Sequence, residues 1–417
     1  MNRYMKILFV NEYASPNIVS GAELSMESLA RSLIDSGHKV AILSANLSEG
    51  ENLRYEKKIK FLKFWFPKKC KPYSSLPVFW FDNPIFWLCS VIPIALAVWR
   101  EKPDIIHVHG KYMLPGTIIS KLFFSKPIIV TVRDYKFICP LAICLTRRNK
   151  ACTFSYFLGT ERSMYLSKYT HTSIVGRIFI SARITISKLL QQGLYFFLTK
   201  CNAIVYVSNA LAQIYEKSGF SKSKLSVIYN FCQPKPLSIK PIDRKIKIVL
   251  YVGKLSYGKG TDILIEAMEK VRKILPKVKL MLIGSKSQSI DNIPSWVDWI
   301  LHIPNEKIFD YYRQASVFVL PTRWPEPLSR SGLEALSMGL PVIASDRGGN
   351  REIVNDSKNG YLIEPNVETL ANKISSLLNN DFKIIEMGKE SFKLSKKRFS
   401  AAMTIEKHIK LYKRLLE

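Results

Sequence analysis

The chain has 417 residues, 47% of them hydrophobic and 23% charged; this excludes wholesale disorder and fibrous architecture, and it exceeds what one ordinary core holds, so two domains are expected. Lys and Arg number 62 against 33 Asp and Glu, a formal charge of +29, which favours an anionic partner such as phosphates, acidic lipid headgroups or nucleic acid without choosing among them. The excess is uneven, with 32 basic and 13 acidic side chains in residues 1–235 and 30 and 20 in the remainder.

The N-terminal residues run directly into an apolar segment, Lys6 to Val10, with no secretion signal ahead of it. A loop containing Ser20 and Gly21, a helical pattern from Ala22 to Ser36 and a second apolar run, Val40 to Leu43, complete a strand, helix, strand unit. Further runs at Ile105–Val108, Ile128–Val132 and Ala203–Val207 are continuously apolar rather than alternating, as strands buried on both faces of a parallel sheet are. The same grammar restarts at Lys247–Val252 and continues through a Gly and Lys loop, a helix from Thr261 to Leu275 and a strand, Val278–Ile283. Val317–Leu320 and Val342–Ala344 extend this second α/β domain. Residues 1–232 are expected to form the first domain, 233–244 a Pro-rich linker, 245–395 the second, and 396–417 a C-terminal helix packing back on the first.

Two segments depart from this pattern. Pro84–Trp99 carries no charge and follows the basic stretch Lys57–Lys71 and the aromatics Phe79, Trp80 and Phe81. As one helix it would be roughly 24 Å long, short of a ~30 Å hydrocarbon core. It is expected to be either a kinked core helix or a surface dipping into a membrane interface. Lys136–Lys200 interleaves Arg147, Arg148, Lys150, Arg177, Arg183 and Lys188 with aromatic and aliphatic residues and reads as a basic amphipathic surface or as an ordinary solvated loop and helix. The seven cysteines lack a disulfide framework, consistent with a reducing, cytoplasmic compartment. Cys139, Cys144 and Cys152 lie close in sequence, but three thiols without a fourth ligand are a weak metal signal.

Chemistry concentrates in the second domain. Glu326 falls in the loop between a strand and a helix and Glu334 about two turns on, so a ligand over the helix N-terminus could meet both carboxylates, while the free N–H groups there suit a diphosphate. Two glutamates at a helix start can also merely complement its dipole. The loop Gly253–Gly260 brings Lys254 and Lys259 after a strand and before a helix, where they could neutralise phosphates; its spacing is neither a Walker loop nor a dinucleotide fingerprint.

Together with Gly21–Glu23, Asp104–His109, Val130–Asp134, Ser208–Ala210, Val227–Asn230, Leu282–Gly284, Asp346–Val354 and Asn359–Tyr361, these stretches resemble the GT-B glycosyltransferases of family 4, retaining enzymes that use nucleotide sugars. The resemblance covers nearly the whole chain. It implies an α/β fold of two Rossmann-like domains facing a central cleft. It also implies that Lys259 binds the donor diphosphate, Lys254 stands where an Arg is usual, Glu326 contacts the donor sugar and Glu334 the ribose. Leu328 and Ser329 would offer backbone N–H groups, and Gly21 would allow close approach to the donor phosphate. Arg133 departs from the family pattern, which commonly has His before Asp134. Arg133 could bind a carboxylate on the donor or acceptor or form a structural ion pair with Asp134 or another acid. His109 is expected on the acceptor side or as a structural histidine.

The resemblance further implies retaining transfer with no protein nucleophile, no metal and no obligatory cofactor, with the leaving diphosphate as base. The basic, apolar first domain suits a lipid-linked saccharide acceptor at an anionic membrane face, in cell-surface polysaccharide or lipopolysaccharide assembly, by an enzyme peripheral to the inner face of the cell membrane. A soluble transferase acting on a small molecule or glucan and a non-catalytic sugar-nucleotide-binding subunit are the alternatives. No nucleic-acid recognition motif accompanies the charge.

Overall fold

A computed structural model describes residues 4–18, 20–47, 58–71, 75–140, 142, 174–232, 246–286, 293–301, 303–304 and 307–417. They divide into two compact units: Met1–Val207 with Leu211–Ile228 and Ile405–Glu417, and Ser208–Ala210 with Tyr229–Thr404. The division thus falls at Tyr229, and residues 396–404 group with the second unit. The linker expected at 233–244 lies outside the described residues.

The first unit is built on seven strands, β1 (Lys6–Val10), β2 (Lys39–Ala45), β3 (Lys60–Phe64), β4 (Ile105–Val108), β5 (Ile128–Val132), β6 (Ala203–Tyr206) and β7 (Leu225–Val227). They run in the order β3-β2-β1-β4-β5-β6-β7, with every neighbouring pair parallel. Described helices associated with it are α1 (Gly21–Asp35), α2 (Pro84–Cys89), α3 (Val91–Glu101), α4 (Leu114–Ile119), α5 (Ile174–Thr199) and α6 (Asn209–Lys217). The continuously apolar strands are buried on both faces, as in Ile105, Ile106 and Val108. At the other end of the chain, buried Tyr412 bonds through its hydroxyl to His107 Nδ1 at 2.7 Å, and Thr131 Oγ1 takes Nε2 at 2.7 Å. This docks the last helix of the chain on the β4–β5 face.

The second unit has strands β8 (Ile248–Val252), β9 (Lys279–Ile283), β10 (Asp298–Ile300), β11 (Val317–Leu320), β12 (Val342–Ser345) and β13 (Gly360–Ile363). Their order is β10-β9-β8-β11-β12-β13, again parallel throughout. Around it lie α7 (Thr261–Ile274), α8 (Ile308–Gln314), α9 (Arg330–Ser337), α10 (Asn350–Ile353), α11 (Val367–Leu378) and α12 (Asp381–Arg398). The last helix, α13 (Ala401–Leu416), groups with the first unit from Ile405 onward. The core of the second unit joins Val249, Leu264, Met268, Leu280, Val319 and Ile374. In both sheets the connections reverse direction beside the first strand, between β1 and β4 and between β8 and β11. In an open α/β sheet such a point leaves a crevice at the carboxyl ends of the strands where ligands bind.

Several sequence expectations are corrected. Residues 84–99 are not one kinked helix: α2 ends at Ser90, and Pro84 and Pro93 both sit in first turns, where a missing N–H costs no intrahelical bond. Lys136 and Lys188 do not belong to a basic surface. Both are buried, Lys136 Nζ pairing with Asp82 at 2.6 Å and Lys188 Nζ donating to Gln191 Oε1 at 2.7 Å. Arg147, Arg148, Lys150, Cys144 and Cys152 lie outside the described residues, while Cys139 is a buried free thiol.

Candidate functional site

In the second unit, β8 delivers Gly253, whose φ is +153°, and then exposed Lys254. A single 3-10 turn, Tyr257–Lys259, leads to Gly260 at φ +70° and so into α7. Lys259 Nζ donates to Glu326 Oε2 at 2.7 Å and lies 5.0 Å from the centre of the Trp324 ring. Trp324 Nε1 donates to the same carboxylate oxygen at 2.9 Å. The two loops are clamped together further out, where Arg323 forks onto Asp262 with two 2.6 Å bonds and donates its backbone N–H to the Gly258 carbonyl at 2.9 Å. The switch point therefore carries one ammonium, one carboxylate and an indole N–H in mutual contact.

Beyond Glu326, the Ser329 side chain caps α9 by accepting from Gly332 N at 3.1 Å. Among the described residues, neither Leu328 N nor Ser329 N has a protein acceptor, so these two donors remain at the positive end of the helix. Glu334 is buried midway along α9, its Oε1 accepting from Arg330 Nε at 3.0 Å and its Oε2 from the Tyr312 hydroxyl at 2.9 Å. Burial and this carboxylate together hold the Tyr312 hydroxyl well above its ordinary range. Glu334 is thus a fixed carboxylate with both oxygens engaged by the protein, while Glu326 is held by the lysine it faces.

In the first unit, Gly21 opens α1 behind Ser20. The Ser20 hydroxyl accepts from Ala22 N at 3.1 Å, and Glu23 Oε2 accepts from Ser20 N at 2.6 Å. The Glu of the Gly21–Glu23 motif therefore closes a capping box. His109 follows β4, its ring 4.1 Å from that of His107 and 4.4 Å from that of Phe9. Both His109 ring nitrogens are buried without a partner, as are Nε and Nη1 of Arg133, which follows β5. Burial, reinforced by His107 and Arg133, holds His109 neutral, and it draws the Arg133 guanidinium down to about 10 against the opposing pull of Glu23 and Asp134. Asp134 pairs with Lys111 and Glu23 closes the capping box, so among the described residues Arg133 feels both charges without a close ion pair to either. Two unsatisfied N–H groups and an unsatisfied imidazole make this a cluster whose polar atoms call for an oxygen from elsewhere.

The sequence did not single out Trp324, Tyr312, Arg330 or Glu12. Trp324 stood within the Glu326 motif and was legible by position. Arg330 lies four residues before Glu334 on α9 and was legible by spacing, whereas Tyr312 reaches it only through the fold. Glu12, after β1, accepts from Tyr112 N at 2.5 Å and Met113 N at 3.1 Å, and burial raises its carboxyl from the ordinary 4.5 to about 7. Folded Glu12 thus keeps its proton where the unfolded chain has lost it. Its contribution to stability is present in full below pH about 4.5 and is lost as pH rises to about 7. In scanning calorimetry between pH 5 and 7.5, the first unit of the wild type should lose more Tm than that of Glu12→Gln; parallel curves would remove Glu12 as the cause.

Two parallel doubly wound sheets, each with its polar residues at the switch point, define a protein of two Rossmann-like domains of the GT-B class. The profile described as Glycosyltransferase Family 4 matches residues 19–235, and that of Glycosyl transferases group 1 matches residues 236–397. The chain belongs to the group 1, family 4 glycosyltransferases. Spore coat protein SA of Bacillus subtilis (strain 168) is 33% identical over 184 residues, 40% of this chain and 49% of that protein, so the chain spans about half of that relative's length. Among solved structures, sucrose-phosphate synthase from Thermosynechococcus elongatus superposes with a TM-score of 0.72 at 17% identity, covering 99% of each chain. Anabaena Alr3699/HepE in complex with UDP-glucose gives 0.66 at 18% identity, covering 99% of this chain and 100% of that one.

Proposed function

We propose that this chain transfers a sugar, with retention, from a nucleotide diphosphate donor to a hydroxyl of a lipid-linked saccharide, working at the cytoplasmic face of a membrane in cell-surface polysaccharide assembly. The observation that carries the donor half is the contact of Lys259 with Glu326 beside the two acceptor-free N–H groups of Leu328 and Ser329. A diphosphate there would draw Lys259 off Glu326 and take the N–H groups, and Glu326 would turn to the hydroxyls of the sugar. Glu334, already oriented by Arg330 and Tyr312, suits the ribose hydroxyls. Lys254 is exposed and free to fold over the phosphates. UDP-glucose bound in a protein of similar fold supports this donor class.

On the first unit, Gly21 would let backbone approach the donor phosphate, and His109 and Arg133 would meet an oxygen-rich group of the substrate. Lys254, Lys259 and the α9 N-terminus stabilise the charge that develops on the leaving diphosphate, whose own oxygen serves as base for the acceptor hydroxyl, so the chain supplies fixed electrostatics rather than a nucleophile. The carboxylates near the donor half are engaged with protein cations and hydroxyls, and no group of three or more metal-ligating side chains occurs among the described residues.

The test is turnover of a panel of nucleotide sugars with and without a membrane lipid extract, followed by the anomeric configuration of the product. Turnover of one donor that requires the lipid fraction, with retained configuration, is expected. Equal turnover with a water-soluble acceptor would move the reading to a soluble transferase, and donor binding without turnover under every acceptor condition would overturn transfer itself.

A further inference from the structure

The outward side of the first unit inverts the usual pattern of a surface helix. Along α3, Val91, Ile94, Ala97 and Val98 face the interior, while Ile92, Leu96 and Trp99 are 67%, 55% and 74% exposed. Spaced at i, i+4 and i+7, they form one stripe. Ile85 and Leu88 on α2, Val78 and Phe79 just before it, and Leu122 and Phe123 after α4 are likewise exposed. Helix α5 adds a second stripe, since Ile178, Ile186, Leu189 and Phe196 all project outward and fall within roughly 80° of one another at 100° per residue. The two groups adjoin, because Trp87 of α2 meets Phe197 of α5 edge to face at 6.2 Å and closes against Gly193.

A soluble surface does not present so many large apolar side chains together unless something covers them. The charges around them identify what. Arg100 and Lys102 are exposed directly after Trp99; Lys121 precedes Leu122; and Lys200 lies 4.9 Å over the Phe196 ring. Among the described residues of α2, α3 and α5, the one acidic side chain is Glu101, paired with Lys60 at 2.8 Å. An apolar plateau fringed by unopposed cations matches a bilayer whose headgroups are anionic, with the aliphatic and aromatic side chains entering the acyl boundary and the cations meeting phosphates.

We propose that α2, α3, the Leu122–Phe123 turn and the outer stripe of α5 form a docking face for an anionic lipid bilayer, on which the helices lie in the plane of the interface. They do not cross it. Pro84–Glu101 is long and apolar enough to span, yet it is broken at Ser90, and Phe86, Trp87, Ile94 and Val98 are held inside the fold. The proposal deepens the reading of a lipid-linked acceptor and rests on it for its purpose, since it names the residues that would hold the enzyme where such an acceptor resides.

The full chain, purified, would be sedimented with phosphatidylcholine vesicles and with vesicles containing phosphatidylglycerol, in the absence of any nucleotide sugar. Binding to the anionic vesicles, weakened by salt and at least about tenfold stronger than to the neutral ones, is expected. Ile92→Glu/Leu96→Glu/Trp99→Glu should abolish it, and Arg100→Gln/Lys102→Gln/Lys200→Gln should remove most of the preference for the anionic lipid. Because all six substituted side chains are exposed, both variants should keep the wild-type melting curve. A wild type left in the supernatant, or a triple glutamate variant that sediments as the wild type does, would overturn the proposal. So would a dimer in solution that the triple variant dissociates. Turnover of a donor with a detergent-dispersed acceptor is measured separately, so an active enzyme that ignores vesicles refutes the docking face alone, and an inactive protein that binds them refutes the transferase reading alone.

Discussion

Lys259→Ala should lower kcat/KM for nucleotide-sugar turnover by a factor of about 10² to 10³, the loss typical of removing one preorganised donor that meets charge developing in the transition state. The lysine has two roles to lose. Among the described residues it is the one side-chain ammonium in contact with Glu326, and a diphosphate leaving group would need that charge. Glu326→Ala should cost a comparable factor by releasing the hydroxyls it orients. The double variant should lose less than the product of the two single losses, because the residues share one contact. Lys270→Ala is the control: its pair with Glu368 lies on an exposed helix surface and is worth little in solvent, so its kcat/KM should stay at the wild-type value. If Lys259→Ala turned over the donor as fast as Lys270→Ala does, the lysine loop would not be the phosphate site.

Gly260→Ala should be among the most damaging single substitutions in the second unit. Its φ of +70° lies in the left-handed region, which costs an alanine roughly 1 kcal/mol. The larger effect is steric: a Cβ would fall 1.9 Å from the Pro321 carbonyl oxygen, and that carbonyl belongs to the backbone leaving β11, so no side chain can turn aside. A loss of about 3 to 5 kcal/mol is expected, at the upper end for a point substitution, lowering the Tm of that unit by on the order of 10 °C. Donor affinity should fall with it, since the clash pushes the Lys259 turn away from Glu326. Gly37→Ala separates the two causes. Gly37 also has a positive φ, +89°, but nothing lies within 4 Å of the point a Cβ would occupy there, so only the conformational cost applies. Calorimetric curves in which both glycine variants lost the same small amount would show that the approach of the two loops is looser than 1.9 Å implies.

Much of this protein is written in local pattern. The runs at Lys6–Val10, Ile105–Val108, Ile128–Val132 and Val317–Leu320 are strands with those limits, because a strand buried on both faces has to be continuously apolar, and few other structures tolerate that composition at that length. Of the residues proposed to hold the donor, Lys259 and Glu326 were legible for a related reason, while Leu328 and Ser329 were implied by the family resemblance. A loop between a strand and a helix concentrates backbone N–H groups and polar side chains within a few positions, so sequence neighbours are also neighbours in space. Strands β3, β7, β10 and β13 were not legible: they are the four edge strands of the two sheets, where pairing with a single neighbouring strand substitutes for hydrophobic continuity.

Burial and pairing of individual side chains came only with the folded chain, in most cases with partners far along the sequence. Composition could count the charge of Lys136 and Lys188 but not turn them inward to Asp82 and Gln191, and it could not assign Asp134 to Lys111 and so leave Arg133 with donors to spare. It named Glu334 without the Tyr312 that helps to fix it. It found Pro84–Trp99 apolar, yet only the packing of Phe86, Trp87, Ile94 and Val98 shows which half of those side chains the core takes and which half it leaves outside. From the amino-acid order alone came the family, through motifs matched along nearly the whole chain, and the two sheets, through periodicity within a few residues. Which charge meets which, and which apolar face stays uncovered, depend on contacts across scores of residues, and those exist only once the chain has closed on itself.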